Sequence, residues 1–201
     1  MIGNYIKAVA AAVSRTTAQL MKTGQTTSYR TGDDGDLERG RNVSFTVLAE
    51  NNPFGNTNRF TDELGTQTYT NNIIIDWSTY DGSTVLGWRR TQNGVGISWN
   101  NAIDGALLIS IGTFTTGWRL PNIAELFSII NFLESVTALN YTPFNLGSFT
   151  LWSSTSLKAP STDQAYILNT GTTTIQNNLK TNTSQRYIPC RTFTVTGTTL
   201  S

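Results

Sequence analysis

The stretch Gly117-Trp118-Arg119-Leu120-Pro121-Asn122-Ile123-Ala124-Glu125-Leu126 carries more structural information than any other part of this chain. Trp118 is a large apolar surface, suited to anchoring a core. Arg119, between Trp118 and Leu120, has two partners open to it: an aromatic face, or the carboxylate of Glu125. Pro121 has no amide hydrogen to lose and suits a helix entrance. A helix is expected from Asn122, with Ile123, Leu126, Phe127, Ile130 and Leu133 on one apolar stripe. Glu125, near its start, favours the positive end of the helix dipole and can cap it.

Short β signals surround this stretch. Val43 to Ala49 alternates apolar and polar residues, and Asn72 to Trp77 and Thr84 to Trp88 are apolar runs with β-branched members. Asn51-Asn52-Pro53 and Tyr80-Asp81-Gly82 mark turns. Ser98 is a candidate N-cap for another helix, with Trp99, Ala102, Ile103, Ala106 and Leu107 at helical spacing. Beyond Thr142, strands are expected at Phe149 to Ser153, Ala165 to Leu168, Thr172 to Gln176 and Arg186 to Val195. The span from Leu157 to Thr183 is polar and turn-rich.

Composition agrees with a β-rich globular chain. About one residue in six is Thr, which favours the pleated, half-buried surface of a sheet. Charged residues are 13 %, aromatics 10 % and the formal net charge is +1, a balance that argues against disorder. It also argues against nucleic-acid binding, which needs clustered phosphate-neutralising cations. Arg39 with Arg41 and Arg89 with Arg90 are too small for that. No apolar run approaches the roughly 18 residues of a membrane span.

Two absences narrow the chemistry. There is no histidine, which removes His-based acid–base catalysis, Ser-His-Asp and Cys-His arrangements and the commonest metal ligand. There is one cysteine, Cys190, so no disulfide forms within the chain. Asp62 with Glu63, or Asp33 with Asp36, are conceivable glycosidase carboxylates, but their separation across a cleft is not readable from sequence. The cluster Asp33-Asp34-Gly35-Asp36 is either a polar turn or a weak oxygen-ligand site; it misses the EF-hand register. No metal and no cofactor is expected.

Residues 2–22 read as a helix, rich in alanine and stopped at Gly24. Ile2, Ile6, Val9, Val13 and Leu20 follow alternating spacings of four and three, with Thr16 filling the gap. That is a short a/d seam. It fits an intersubunit bundle, a trimer being favoured, or an amphipathic helix packed on its own domain. A signal peptide is a third reading, although its apolar core is short.

A resemblance now becomes visible. Trp118-Arg119-Leu120-Pro121 with Glu125-Leu126 resembles the W-R-L-P-x-x-x-E-L signature of the Lcl C-terminal domain family. Ile75-Asp76 and Thr84 to Trp88 resemble its "D…TGLMW" segment, and Trp99 with Ala102 the start of its first helix. Trp152-Ser153-Ser154-Thr155 resembles its W-S-S-[ST] strand. Cys190-Arg191 resembles the end of its closing strand. The match covers roughly residues 70–195.

The resemblance implies an α+β, C-type-lectin-like domain of short antiparallel strands with two helices. It divides the chain into an N-terminal helix (1–24), a β-rich connecting region (25–70) and the lectin-like domain (71–201). The family's second cysteine is missing from the first helix here, so Cys190 is expected as a buried free thiol. Cysteine chemistry of the related sulfatase-modifying fold is not expected. Neither is calcium-dependent sugar binding, whose triplets are absent.

The sequence is similar to phage-encoded members of the family. That implies a virion structural protein, a capsid decoration, head fibre or tail-fibre component assembled in the host cytoplasm, and not an enzyme. Its partners would be other virion proteins through the N-terminal helix, with a host receptor or glycan met by loops between Leu157 and Thr183. The alternative is a secreted or surface adhesin of a bacterium.

Overall fold

A computed structural model describes residues 27–37, 45–48, 50–93, 96–132, 139, 141–144, 146–160 and 162–201. The helix expected over 1–24, with its seam at Ile2, Ile6, Val9, Val13 and Leu20, lies outside the described residues. So do Arg39, Arg41 and Leu133.

The described chain is α+β and mostly antiparallel. One sheet runs β1 (Phe60–Thr61), β2 (Ile73–Asp76), β3 (Thr84–Arg89), β8 (Cys190–Thr196), β4 (Trp118–Arg119), and β9 (Thr199–Leu200) pairs with β8. A second, three-stranded sheet holds β5 (Thr150–Ser156), β6 (Gln164–Asn169) and β7 (Thr174–Leu179). The helices are α1 (Asp34–Leu37), α2 (Trp99–Leu107) and α3 (Ile123–Ser128), with a 3-10 turn at Trp77–Thr79. The segment 186–189 connects the sheets: Leu151 makes a parallel bridge to Arg186, and Arg89 donates its amide to the carbonyl of Pro189.

The β2–β3 centre of the larger sheet is buried on both faces, which explains why β2 reads as an unbroken apolar run. Ile74, Trp88 and Cys190 are paired neighbours across β2, β3 and β8, and all three face one core with Leu126, Ile129 and Phe144. Ile73, Ile75, Val85, Trp118 and Phe193 face the opposite core. A third cluster packs Ala102 and Ala106 of α2 against Leu120, Trp152, Ala165, Ile167 and Tyr187. The connecting segment takes part in the same structure, since β1 pairs with β2 and Phe60 lies in the first core.

Gly87 lies directly against the second core. A Cβ there would fall inside the van der Waals envelope of the Phe193 ring, with Ile75 also at contact. Gly87→Ala should therefore destabilise by overpacking, by about 1–3 kcal/mol, seen as a lowered urea midpoint at unchanged slope.

Several expected elements differ in extent. The helix from Asn122 ends at Ser128, because the Ser128 carbonyl is taken by the buried guanidinium of Arg59 at 2.9 Å. Phe127, expected on the buried stripe, is 39 % exposed, while Ile129 and Ile130 are buried just beyond the helix. The strand expected from Arg186 begins only at Cys190, after Pro189, whose ring nitrogen has no hydrogen for a ladder. The strand expected at Thr172 begins at Thr174: Asn169 draws the amides of Gly171 and Thr172 into a turn, and Thr173 takes a positive φ. Of Val43 to Ala49, Phe45–Leu48 are described and make a single bridge, Val47 to Asn58. Ser98 occupies the N-cap of α2 without a side-chain bond.

Candidate functional site

The residues that mark the central stretch are placed for packing. Trp88, Trp118, Trp152 and Cys190 are all essentially inaccessible, and Leu120 is buried. Arg119 grips Glu125 with two bonds, of 2.8 and 2.6 Å. Of its two open partners, the carboxylate is the one used. Glu125 also accepts the Asn122 amide, while the Asn122 side chain accepts the Glu125 amide, a reciprocal capping box. Pro121 accepts the Ser154 amide through its carbonyl, and Ser153 Oγ donates to the Tyr166 carbonyl. The first of these bonds ties the start of α3 to strand β5, and the second ties β5 to β6.

Burial tends to raise the Glu125 pKa, but the Arg119 and Asn122 bonds outweigh it and hold it below the usual 4.5. A carboxylate depressed on folding stabilises above its unfolded pKa, and that support fades as pH falls through the folded value. Glu125→Gln should thus lower stability by about 1 kcal/mol at neutral pH, since the pair is partly solvated. The difference between the thermal midpoints of the two proteins should begin to shrink as pH falls toward the usual 4.5 and be lost once pH lies below the depressed folded value.

Cys190 is a poor nucleophile. Burial is the main cause that pushes its thiol up to about 12, although the nearby Arg119 pulls the other way. Arg191 lies against the rings of Phe114 and Phe193 at 5.0 and 4.6 Å.

The acidic cluster folds into a turn capped by its own carboxylates. Asp33 accepts the amides of Tyr29, Arg30 and Asp36, and Asp36 accepts that of Gly32. Among the described residues no three His, Cys, Asp or Glu side chains converge as a metal site. No described helix is long and apolar enough to cross a membrane. Within the polar span from Leu157 to Thr183, the strands expected at Ala165 to Leu168 and Thr172 to Gln176 form the β6–β7 hairpin, which leaves only short loops around it.

Asp62 and Glu63 have separate fates. Asp62 is buried and accepts from the amides of Leu64, Thr66 and Tyr69 and the hydroxyls of Thr66 and Thr68. Burial raises its pKa, but these bonds outweigh it and the net shift is downward. It shapes the loop and is fully occupied in doing so. Glu63, next along that loop, lines a cleft of about 420 Å³.

Three chain segments build this cleft. Glu63, Leu64 and Asn71 come from the loop before β2, whose Ile73 also lines the cleft. Ile111 to Phe114 form a tight turn with mutual backbone bonds, and Gly112 takes the positive φ the turn requires. Thr198, Thr199 and Leu200 come from the C-terminal hairpin. Trp118 holds the turn in place by donating its indole N–H to the Phe114 carbonyl at 2.9 Å. Asn71 donates to Glu63 Oε1, whereas the buried Glu63 Oε2 meets no donor among the described residues.

The cleft was not legible in the sequence as a unit, because its walls come from positions 63–73, 111–114 and 198–200. The one available signal was Glu63, next to a carboxylate that turns out to be structural.

A comparison with the curated proteins gives no match. The family model of the Lcl C-terminal domain matches residues 78–190. That span runs from the 3-10 turn through the Trp118 stretch to the first residue of β8, more than half of the chain, and on this match the protein belongs to the Lcl C-terminal domain family.

Proposed function

We propose that this protein is a display module, a C-type-lectin-like domain carried on a bacteriophage particle to bind a host receptor or glycan. In this reading it is not an enzyme. Residues 1–24, which lie outside the described residues, would join it to other virion proteins and to two further copies of itself. It serves as a capsid decoration, a head fibre or a tail-fibre component.

The observation that carries the reading is the fate of the family's marks. Trp88, Trp118, Trp152 and Cys190 are consumed by the core, and Arg119 and Glu125 by each other. A thiol pushed up to about 12 by burial, in a chain without histidine, offers no reactive centre. Recognition is then left to the surface between elements, where scaffolds of this kind carry function.

The test has two arms. Mass spectrometry of purified particles should find the chain as a stoichiometric component, and the isolated chain should bind host cells. Absence from particles together with export from a bacterium would favour a surface adhesin instead. Loss of a turnover in Cys190→Ser would overturn the non-enzymatic reading.

A further inference from the structure

We infer that the cleft of Glu63, Asn71 and Phe114 is a metal-independent subsite for one neutral sugar ring. This rests on the reading that the chain binds ligands rather than transforming them.

Charge decides the class first. Glu63 is the one charged residue among the described residues that line the cleft. An anionic ligand would meet an uncompensated carboxylate. A cationic ligand would find one carboxylate oxygen already engaged by Asn71 and the rest of the lining neutral, so its charge would be met at a single atom. Hydroxyl groups avoid both costs.

Hydrogen-bond inventory points the same way. Glu63 Oε2 is buried without a donor among the described residues, and an unmet buried acceptor destabilises until a donor reaches it. Glu63 as a residue is only half-buried, so its terminal torsions can turn this oxygen toward the cleft. Asn71 is exposed and spends one amide hydrogen on Glu63, which leaves a second donor and a carbonyl. Two planar groups held side by side thus offer acceptor, donor and acceptor. Neighbouring hydroxyls on a ring, each both donor and acceptor, complement that set.

The other walls suit the rest of a sugar. Leu64, 65 % exposed, and the half-buried Ile111 and Phe114 present apolar surface to a ring's C–H face. Thr113, Thr198 and Thr199 bring hydroxyls to its rim. The volume of about 420 Å³ lies near the lower end for small-molecule pockets and holds one ring. Among the described residues no carboxylate cluster is present to hold a bridging cation.

The test uses the full chain, labelled for amide NMR and titrated with the methyl glycosides of glucose, galactose, mannose and N-acetylglucosamine. At least one should shift the amides of residues 63–71, 111–114 and 198–200, equally with and without EDTA. Glu63→Gln should weaken that binding about tenfold or more, as expected for losing a charge-assisted bond. Asn71→Ala should weaken it about fivefold. Thermal midpoints near the parent's would show that both variants are folded. No cleft shift with any of the four glycosides, affinity unchanged in folded Glu63→Gln, or binding abolished by EDTA would each overturn the inference. Cell binding that survives both variants would sink this subsite and leave the display reading intact. Cleft binding by a chain absent from particles would do the reverse.

Discussion

Asp76→Ala should cost the fold about 3–5 kcal/mol, enough to leave a domain of ordinary stability largely unfolded under mild denaturant. Arg59 and Asp76 are both fully buried. Arg59 Nε reaches Asp76 Oδ1 at 2.8 Å and its terminal nitrogen reaches Oδ2 at 2.7 Å. The guanidinium lies over the rings of Phe45 and Phe60, at 4.3 and 4.4 Å, and donates to the carbonyls of Phe45 and Ser128. It therefore joins β1, β2 and the end of α3 at one point.

Removing the carboxylate leaves that cation buried without a counter-charge, held by two carbonyl oxygens and the two ring faces. Asp76 also accepts the amide and hydroxyl of Ser78, so the 3-10 turn loosens with it. Arg59→Met should be similarly harmful. The double variant Arg59→Met with Asp76→Leu should cost clearly less than the two single losses added, because no unpaired charge remains. Urea titration of the four proteins gives the coupling directly. A single-variant loss below about 1 kcal/mol would show that the pair contributes little.

Trp152→Ala should cost a comparable amount, about 3–5 kcal/mol. Trp152 is fully buried at the junction of α2, Leu120 and the smaller sheet, and a cavity there has walls from three elements. Its indole N–H also donates to the Ile97 carbonyl at 2.8 Å, just before α2 begins. Trp152→Phe separates the two contributions, since it keeps an aromatic ring and loses that bond. Trp88 supplies the comparison: it is equally buried, but its indole nitrogen has no acceptor among the described residues. Trp88→Phe should accordingly be milder than Trp152→Phe, by roughly one hydrogen bond, or about 1 kcal/mol. Thermal or chemical denaturation of the two variants checks the order.

Local order was legible wherever its cause lay within a few residues. Asn122 and Glu125 form a capping box because their side chains reach amides three positions away, and that spacing is visible in the chain. The β3 strand, the start of α2 and the buried tryptophans followed from apolar patterning in the same way. Lengths were less legible. The α3 helix stops where a distant arginine takes a carbonyl, and β8 starts after Pro189, which accepts the Arg89 amide in register but has no amide hydrogen to return.

By itself, then, the sequence determined an α+β chain of short strands, the packing role of the Trp118 stretch and the absence of histidine-based or paired-cysteine chemistry. Those conclusions need only residue types, periodicity and near-neighbour bonds. The tertiary structure alone decided that Asp76 is matched by Arg59, that Asp62 is structural while Glu63 lines a cleft, and that Phe114 and Asn71 line that same cleft. Each of those depends on groups brought together from far along the chain, so no local pattern of residues encodes it.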